Sequence, residues 1–216
     1  VIEVHDLYDY TDIRGLNHAT MFVAHVARPT LVLGGSQSLD VLNSFARTYT
    51  MIRRRRGGGG LVLLNPDDIW IDWWIPAEDP RWSKDVHTSS NQAGSWWAQT
   101  LRDVVDGEVS VHQGSLAGDP ALRLVCFAGR GPGEVFVGGR KVVGVTQWRV
   151  REGNLLSTVL PREDPRAIVD FLAAVPEGLT EALTYDASLS LDAPALVDRL
   201  AELSGPWERR DIFLID

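Results

Sequence analysis

The sequence predicts an α+β fold: a mostly antiparallel mixed sheet with helices packed against it. Three observations carry this. Short apolar runs of strand length come in blocks bounded by Gly, Pro, Asn and Asp. Helical patterns stand before, between and after those blocks instead of alternating with single strands. Gly138-Gly139 joins two strand-like runs in the manner of a two-residue hairpin turn.

Taken in order, Thr30–Leu33 reads as an apolar strand ending at Gly34-Gly35. Ser38 is placed to cap a helix reaching about Tyr49, with Leu39, Leu42 and Phe45 on one face. Thr50–Arg56 and Leu61–Leu64 read as paired strands around a glycine turn, and Ile69–Ile75 as a third strand. Pro76 and Pro80 bracket a loop. Ser90 then starts a helix carrying Trp96, Trp97 and Leu101, which ends near Asp106-Gly107. The second half predicts strands at Glu108–His112, Ala121–Phe127, Glu134–Val137, Val142–Val150 and Leu155–Leu160. From Asp164-Pro165 the pattern turns helical, and Asp192 with Pro194 opens a last helix through Leu203.

At 216 residues the chain suits one domain with a sizeable core, expected to span 1–216 without an accessory C-terminal domain. No apolar stretch is long enough to cross a bilayer, and no signal or transit peptide is visible. One cysteine, Cys126, excludes an intrachain disulfide and fits a reducing cytoplasm. A net charge of −8 argues against nonspecific nucleic-acid binding. Neither nucleic acid nor membrane is expected as a partner.

Against that acidic background, four arginines (Arg53–Arg56) run into four glycines (Gly57–Gly60). Adjacent guanidinium groups repel unless water or an anion screens them, and glycines let a ligand approach the main chain. The stretch reads as an anion cradle, or as a solvated hairpin tip. Lysine usage is the other compositional signal. Only Lys84 and Lys141 occur among 21 basic residues, so position 141 is a candidate for a compact ammonium that arginine's planar fork cannot replace.

The string Gly138-Gly139-Arg140-Lys141-Val142-Val143-Gly144-Val145-Thr146-Gln147 resembles the G-[RK]-K-[IV]-x-G-[ST]-[AT]-Q segment of lipoate–protein ligases and octanoyltransferases. Arg54–Val62 is similar to their R-R-x-[ST]-G-G-G-A-V segment, and Pro29–Gln37 to their P-x-[LV]-x-[LV]-G-x-x-Q strand and loop. The three matches keep the family's order across roughly residues 29–160. The resemblance implies a biotin/lipoate ligase-like (class II synthetase-like) catalytic domain. It would attach lipoate or octanoate to a lysine of a lipoyl carrier domain, through an acyl-adenylate made with ATP and Mg. The carrier would belong to a dehydrogenase complex or the glycine-cleavage system.

It further implies that Lys141 steadies the acyl carbonyl. Gly58, Gly59 and Gly60 would lie along the acyl group, Arg54 and Arg55 would face phosphate, and Gly144 and Gln147 would complete the site. Lys141 is expected outside the core, so that replacing it would leave stability little changed. The chain departs from the family in three places. Gly57 stands where a small hydroxyl residue precedes the glycines, Leu64-Asn65 where a histidine usually follows, and the N-terminal Asn-Met-Ala-x-Asp-like string is missing. None of His5, His18, His25, His87 or His112 fills the histidine's position.

Cys126 resembles in position the acyl-accepting cysteine of one octanoyltransferase branch, giving an ATP-independent alternative; a buried core thiol is the rival reading. The absent histidine leaves a third alternative, a non-catalytic binder of the acyl group or carrier domain. Trp70, Trp73, Trp74, Trp96 and Trp97 fit core packing and the wall of an apolar acyl pocket better than a sugar platform. No metal site is expected, because the histidines are scattered and Asp67, Asp68 and Asp72 are explained by a strand-flanking turn. No Walker-type phosphate loop can be read.

Overall fold

The computed structural model describes residues 4–184 and 192–214. Strands β1 (His5–Asp6), β2 (Thr20–Val26) and β3 (Thr30–Leu33) are followed by helix α2 (Ser44–Tyr49), with the short helix α1 (Tyr10–Arg14) between the first two. Next come β4 (Met51–Arg54), β5 (Val62–Leu64), β6 (Ile69–Pro76) and the long helix α3 (Val86–Arg102). The second half holds β7 (Val109–Val111), β8 (Val135–Val137), β9 (Arg140–Val150), β10 (Gly153–Leu160), α4 (Leu179–Ala182), α5 (Ala193–Ser204) and β11 (Glu208–Leu214).

The strands form two sheets. The larger runs β11-β2-β6-β10-β9-β8-β7, antiparallel except for the parallel pair β11–β2, and the smaller runs β1-β4-β3-β5. Strand β6 shows how three layers arise from one alternating sequence. Ile69, Ile71, Trp73 and Ile75 face α3 and α5, packing with Trp96, Trp97 and Leu200. Trp70 and Trp74 point the other way, into a core shared with Leu31, Leu33 and Val62 of the small sheet. Asp72 falls on that second face and is wholly buried between them.

Several expected elements differ. The stretches flanking the glycines, β4 and β5, do not pair with each other, because β3 lies between them, parallel to β4 and antiparallel to β5. Ala121–Phe127 is two 3₁₀ turns, Pro120–Leu124 and Cys126–Ala128, since Pro120 and the Asp119 carboxylate accepting from Ala121 N–H set a turn there. Helix α3 starts four residues before Ser90, capped by Asp85, whose carboxylate accepts from Thr88 N–H. The helix expected from Ser38 breaks into a 3₁₀ turn (Leu39–Val41) and α2, with Asn43 as the second cap and Phe45 left exposed. Pro165–Phe171 is 3₁₀ instead of α-helical. Strands β1, β2 and β11 were not foreseen. The hairpin at Gly138-Gly139 forms as expected, with φ of 55° and 79°.

Candidate active site

The chain leaving β4 crosses the end of β3, and glycine meets glycine there. A Cβ on Gly34 would lie 2.1 Å from the Gly59 carbonyl oxygen, so no larger residue fits, and Gly59 itself has φ of +88°. Gly35 N–H donates to the Gly57 carbonyl at 2.9 Å. The four glycines thus form a fixed corner pressed against Gly34-Gly35.

Two of the arginines build that corner. Arg54 gives one guanidinium nitrogen to the carbonyls of Gly34 and Gln37, at 3.0 and 2.7 Å. Arg55 is 1% exposed and donates to the carbonyls of Val32, Gly58 and Gly60. No carboxylate pairs with it among the described residues, and burial lowers its pKa. Every peptide bond here is trans, so the Gly58 carbonyl and the Gly59 N–H point in opposite directions. Drawing that carbonyl onto buried Arg55 turns the Gly59 N–H away from the core. The N–H groups of Gly58, Gly59 and Gly60 find no protein acceptor among the described residues. Arg56 instead pairs with Asp6 and lies over the Tyr10 ring.

A cavity of about 310 Å³ opens in front of these glycines. Its size sits at the lower end for ligand sites, usually about 300–1,000 Å³. Gly58–Gly60 form one wall, with Cys126, Glu134 and Gln147 on others and Arg123 as the cation on its lining. The 3₁₀ turns bring Cys126 here, because Leu61 bridges to Val125 and accepts from Cys126 N–H at 3.0 Å. Gly144 lies on a small neighbouring cavity with Cys126, Val145 and Thr146, where an added Cβ would meet Cys126 Sγ and the Phe127 ring at 3.4 Å. Gln147 donates to Val86 carbonyl and Ser90 hydroxyl oxygens, tying β9 to the first turns of α3.

Lys141 is in the core, contrary to expectation. It is 5% exposed, and its Nζ lies 2.6 Å from Glu134 Oε1, 2.6 Å from the Cys126 carbonyl oxygen and 3.3 Å from that of Gly129. All three of these residues line the cavity. The lysine therefore stands directly behind the wall, with all three protons engaged. Burial raises the Glu134 carboxyl above the ordinary range, opposed by Lys141 and by Gly131 N–H, which donates to Oε2 at 2.6 Å.

The tryptophans named above pack in the cores; Trp70 lines a small apolar cavity that shares Cys126, Val145 and Thr146 with this one, but none lines this cavity itself. No histidine lines it either. Of Leu64-Asn65, the pair read above in place of a histidine, Leu64 is buried in the core and Asn65 in a turn where its N–H donates to Asp68. No group of three His, Cys, Asp or Glu is arranged to hold a metal among the described residues. No helix among them is long and apolar enough to cross a membrane. Glu134 and Arg123 were missed in the sequence. The signal for Glu134 was an acid just ahead of the hairpin strand facing Lys141, brought round by a β-bulge at Val135/Phe136.

No protein-family model matches the sequence, and no curated protein does. Solved structures do match. Lipoate-protein ligase A bound with ATP aligns at TM-score 0.72 and 14% identity, covering 97% of this chain and 83% of its own. A Thermoplasma acidophilum protein with bound lipoic acid aligns at TM-score 0.70 and 14% identity, with 97% and 82% covered. The chain has the lipoate–protein ligase fold. A third match to that fold is a bi-partite archaeal lipoate protein ligase from T. acidophilum, described together with its E2 lipoyl domain, at TM-score 0.69 and 13% identity, with 97% and 81% covered. In this chain the fold places the three motif segments around one cavity: the Gly34-Gly35 loop behind, the glycine corner on the wall, and the Lys141 strand beneath.

Proposed function

We propose that this protein attaches lipoate, or a related medium-chain acyl group such as octanoate, to a lysine of a lipoyl carrier domain, by way of an acyl-adenylate. The observation that carries the reading is the glycine corner: among the described residues, its backbone N–H groups on a cavity wall have no protein acceptor, and buried Arg55 behind them has no carboxylate partner. Such an arrangement attracts a ligand that is anionic at one end. In this reading Arg54 and Arg55 shape the corner and Arg55 supplies field, whereas Arg123 meets phosphate directly. Gly58–Gly60 run beside the acyl group, Gly144 keeps space next to Cys126, and Gln147 holds the α3 wall.

Lys141 acts through the wall. Its longest bond, to the Gly129 carbonyl, is the one to be released if an ammonium proton turns to the acyl carbonyl as negative charge develops there. A divalent ion would find one carboxylate on the wall, Glu134, already engaged by Lys141 and Gly131. That is not a built metal site, and Mg, if it accompanies ATP, is held by phosphate and water. The fold matches solved with ATP and with lipoic acid support these as substrates. The match described with an E2 lipoyl domain supports a carrier domain, of a dehydrogenase complex or glycine-cleavage protein, as partner. The setting is a reducing compartment such as the cytoplasm.

A second reading rests on Cys126. Its half-buried side chain lines the cavity, so a thioester donor could load it and the acyl group pass to the amine without ATP. A non-catalytic binder is the third. Incubating purified carrier domain with the protein and either ATP plus lipoate or an octanoyl thioester, with intact-mass readout, separates all three. Modification with ATP alone supports the ligase, with thioester alone the transferase, and with neither the binder.

A further inference from the structure

An amine that attacks an acyl carbonyl must lose a proton, and no histidine among the described residues lines this cavity to take it. We infer that Glu134 is the proton acceptor for the incoming lysine amine, an assignment that rests on the acyl-transfer reading above. Among the described residues three ionisable side chains, Arg123, Cys126 and Glu134, line the cavity, and of these the carboxylate is the one that is an acceptor in its ordinary ionised form. It is not a surface acid that happens to face a cleft. Oε1 is fixed by Lys141 and Oε2 by Gly131 N–H, each at 2.6 Å, and about half of its lone-pair sites stay open.

The electrostatics suit the task. Burial makes the carboxylate a stronger acceptor than an exposed glutamate, while Lys141 from β9 and His112 at the end of β7 face it and favour the ionised form. As the new C–N bond forms, the amine proton passes to a Glu134 oxygen. The bond from the acyl carbon to the phosphate oxygen breaks, the electron pair leaves with the phosphate, and Glu134 returns the proton to water. Lys141 then has two duties from one place, holding Glu134 ionised and supporting the developing oxyanion.

The test is single-turnover transfer from synthetic octanoyl-adenylate, and separately from an octanoyl thioester, to a purified lipoyl domain across a pH series. Glu134→Gln is expected to slow transfer by about 10²–10⁴-fold and to flatten the acid limb of the wild-type profile. Glu134→Asp, which keeps the charge but withdraws it from the amine, is expected to be slowed while retaining that limb. It also serves if the glutamine variant fails to fold. A folded Glu134→Gln with wild-type rate and profile, or a Glu134→Asp with unchanged rate, makes Glu134 only a structural partner of Lys141 and overturns the assignment alone. A wild-type protein that transfers from neither donor overturns the proposed function and this assignment with it.

Discussion

The guanidinium of Arg55 holds the carbonyl oxygen of Gly58 at 2.8 Å and, with the Thr146 hydroxyl that donates to the same oxygen at 3.0 Å, sets which way the next amide faces. An arginine that reads in sequence as a ligand contact is a buried strut behind the glycine corner. Arg55→Met keeps apolar volume but withdraws its donors from the carbonyls of Val32, Gly58 and Gly60, of which Gly58 keeps the Thr146 hydroxyl. Each buried carbonyl left without a donor costs about 1–3 kcal/mol, so the variant is expected to melt well below wild type and to lose affinity for an acyl-adenylate analogue. Thermal melts and calorimetric titration check this; unchanged affinity in a folded variant would show that the corner does not bind the anion.

Gly58 and Gly59 should part company when substituted. A Cβ on Gly58 meets nothing within 4 Å, whereas Gly59 has φ of +88° and sits against Gly34. Gly58→Val is therefore expected to keep its melting temperature and lose ligand affinity by filling the cavity. Gly59→Val puts a β-branched residue where left-handed backbone costs about 1–2 kcal/mol, beside the close contact with Gly34. Equal stability of the two variants would contradict this geometry.

Replacing Lys141 is expected to affect stability as well as rate. Lys141→Ala leaves Glu134 buried beside no cation, a loss of about 3–5 kcal/mol. Lys141→Arg keeps charge but must fit a planar fork where a point-like ammonium reaches three acceptors. Both are expected to lower carrier acylation by about 10²–10³-fold. Exposed Lys84 is the control, and Lys84→Ala should match wild type in melting and turnover. Full activity in Lys141→Arg would remove the lysine from the site.

Cys126 decides between donors. If it carries the acyl group, an octanoyl thioester should add one acyl mass to the intact protein, and Cys126→Ala should abolish the adduct. If it only lines the wall, Cys126→Ala keeps ATP-dependent acylation and loses roughly 1–2 kcal/mol of stability. The second result is the expected one. A trapped thioester at Cys126 would favour the ATP-independent route.

Asp72 gives a pH signature unrelated to catalysis. Burial pushes its carboxyl up to about 7, and one oxygen accepts from Trp70 Nε1 at 2.7 Å. A raised carboxyl pKa means the folded protein keeps the proton that the unfolded chain loses near pH 4. Its stability contribution therefore falls as pH rises from about 4 to about 7 and is level above. Asp72→Asn retains an acceptor for Trp70 and cannot ionise. It should melt higher than wild type at about pH 8, by the equivalent of at most about 4 kcal/mol, with the difference closing near pH 4. A difference independent of pH would refute the buried-charge account.

Alternation and turn chemistry made much of the fold legible. The hairpin at Gly138-Gly139 and strands β6, β9 and β10 follow from local pattern, and Asp192 with Pro194 starts α5 where expected. Strand β11 was missed because Glu208-Arg209-Arg210-Asp211 reads as polar surface; its strand character comes from pairing with β2, which no local signal contains. The same holds for β4 and β5, near neighbours in sequence that are separated in the sheet by β3. Ala121–Phe127 looks like a strand by composition, but Pro120 and the docking of Val125 against Leu61 make it a turn.

For the site, the sequence by itself singled out three segments that the fold brings together: the arginine–glycine corner, the lysine strand and the Gly34-Gly35 loop. It also determined that glycine is needed, because local backbone chemistry follows from residue type. Only the tertiary structure decided what each charge does. Arg55 turned inward to carbonyls, Lys141 paired with Glu134 in the core, and Arg123 was left on the cavity lining. A side chain's charge is written in the sequence, but its partner, and hence its role, depends on which distant strand or loop folds against it.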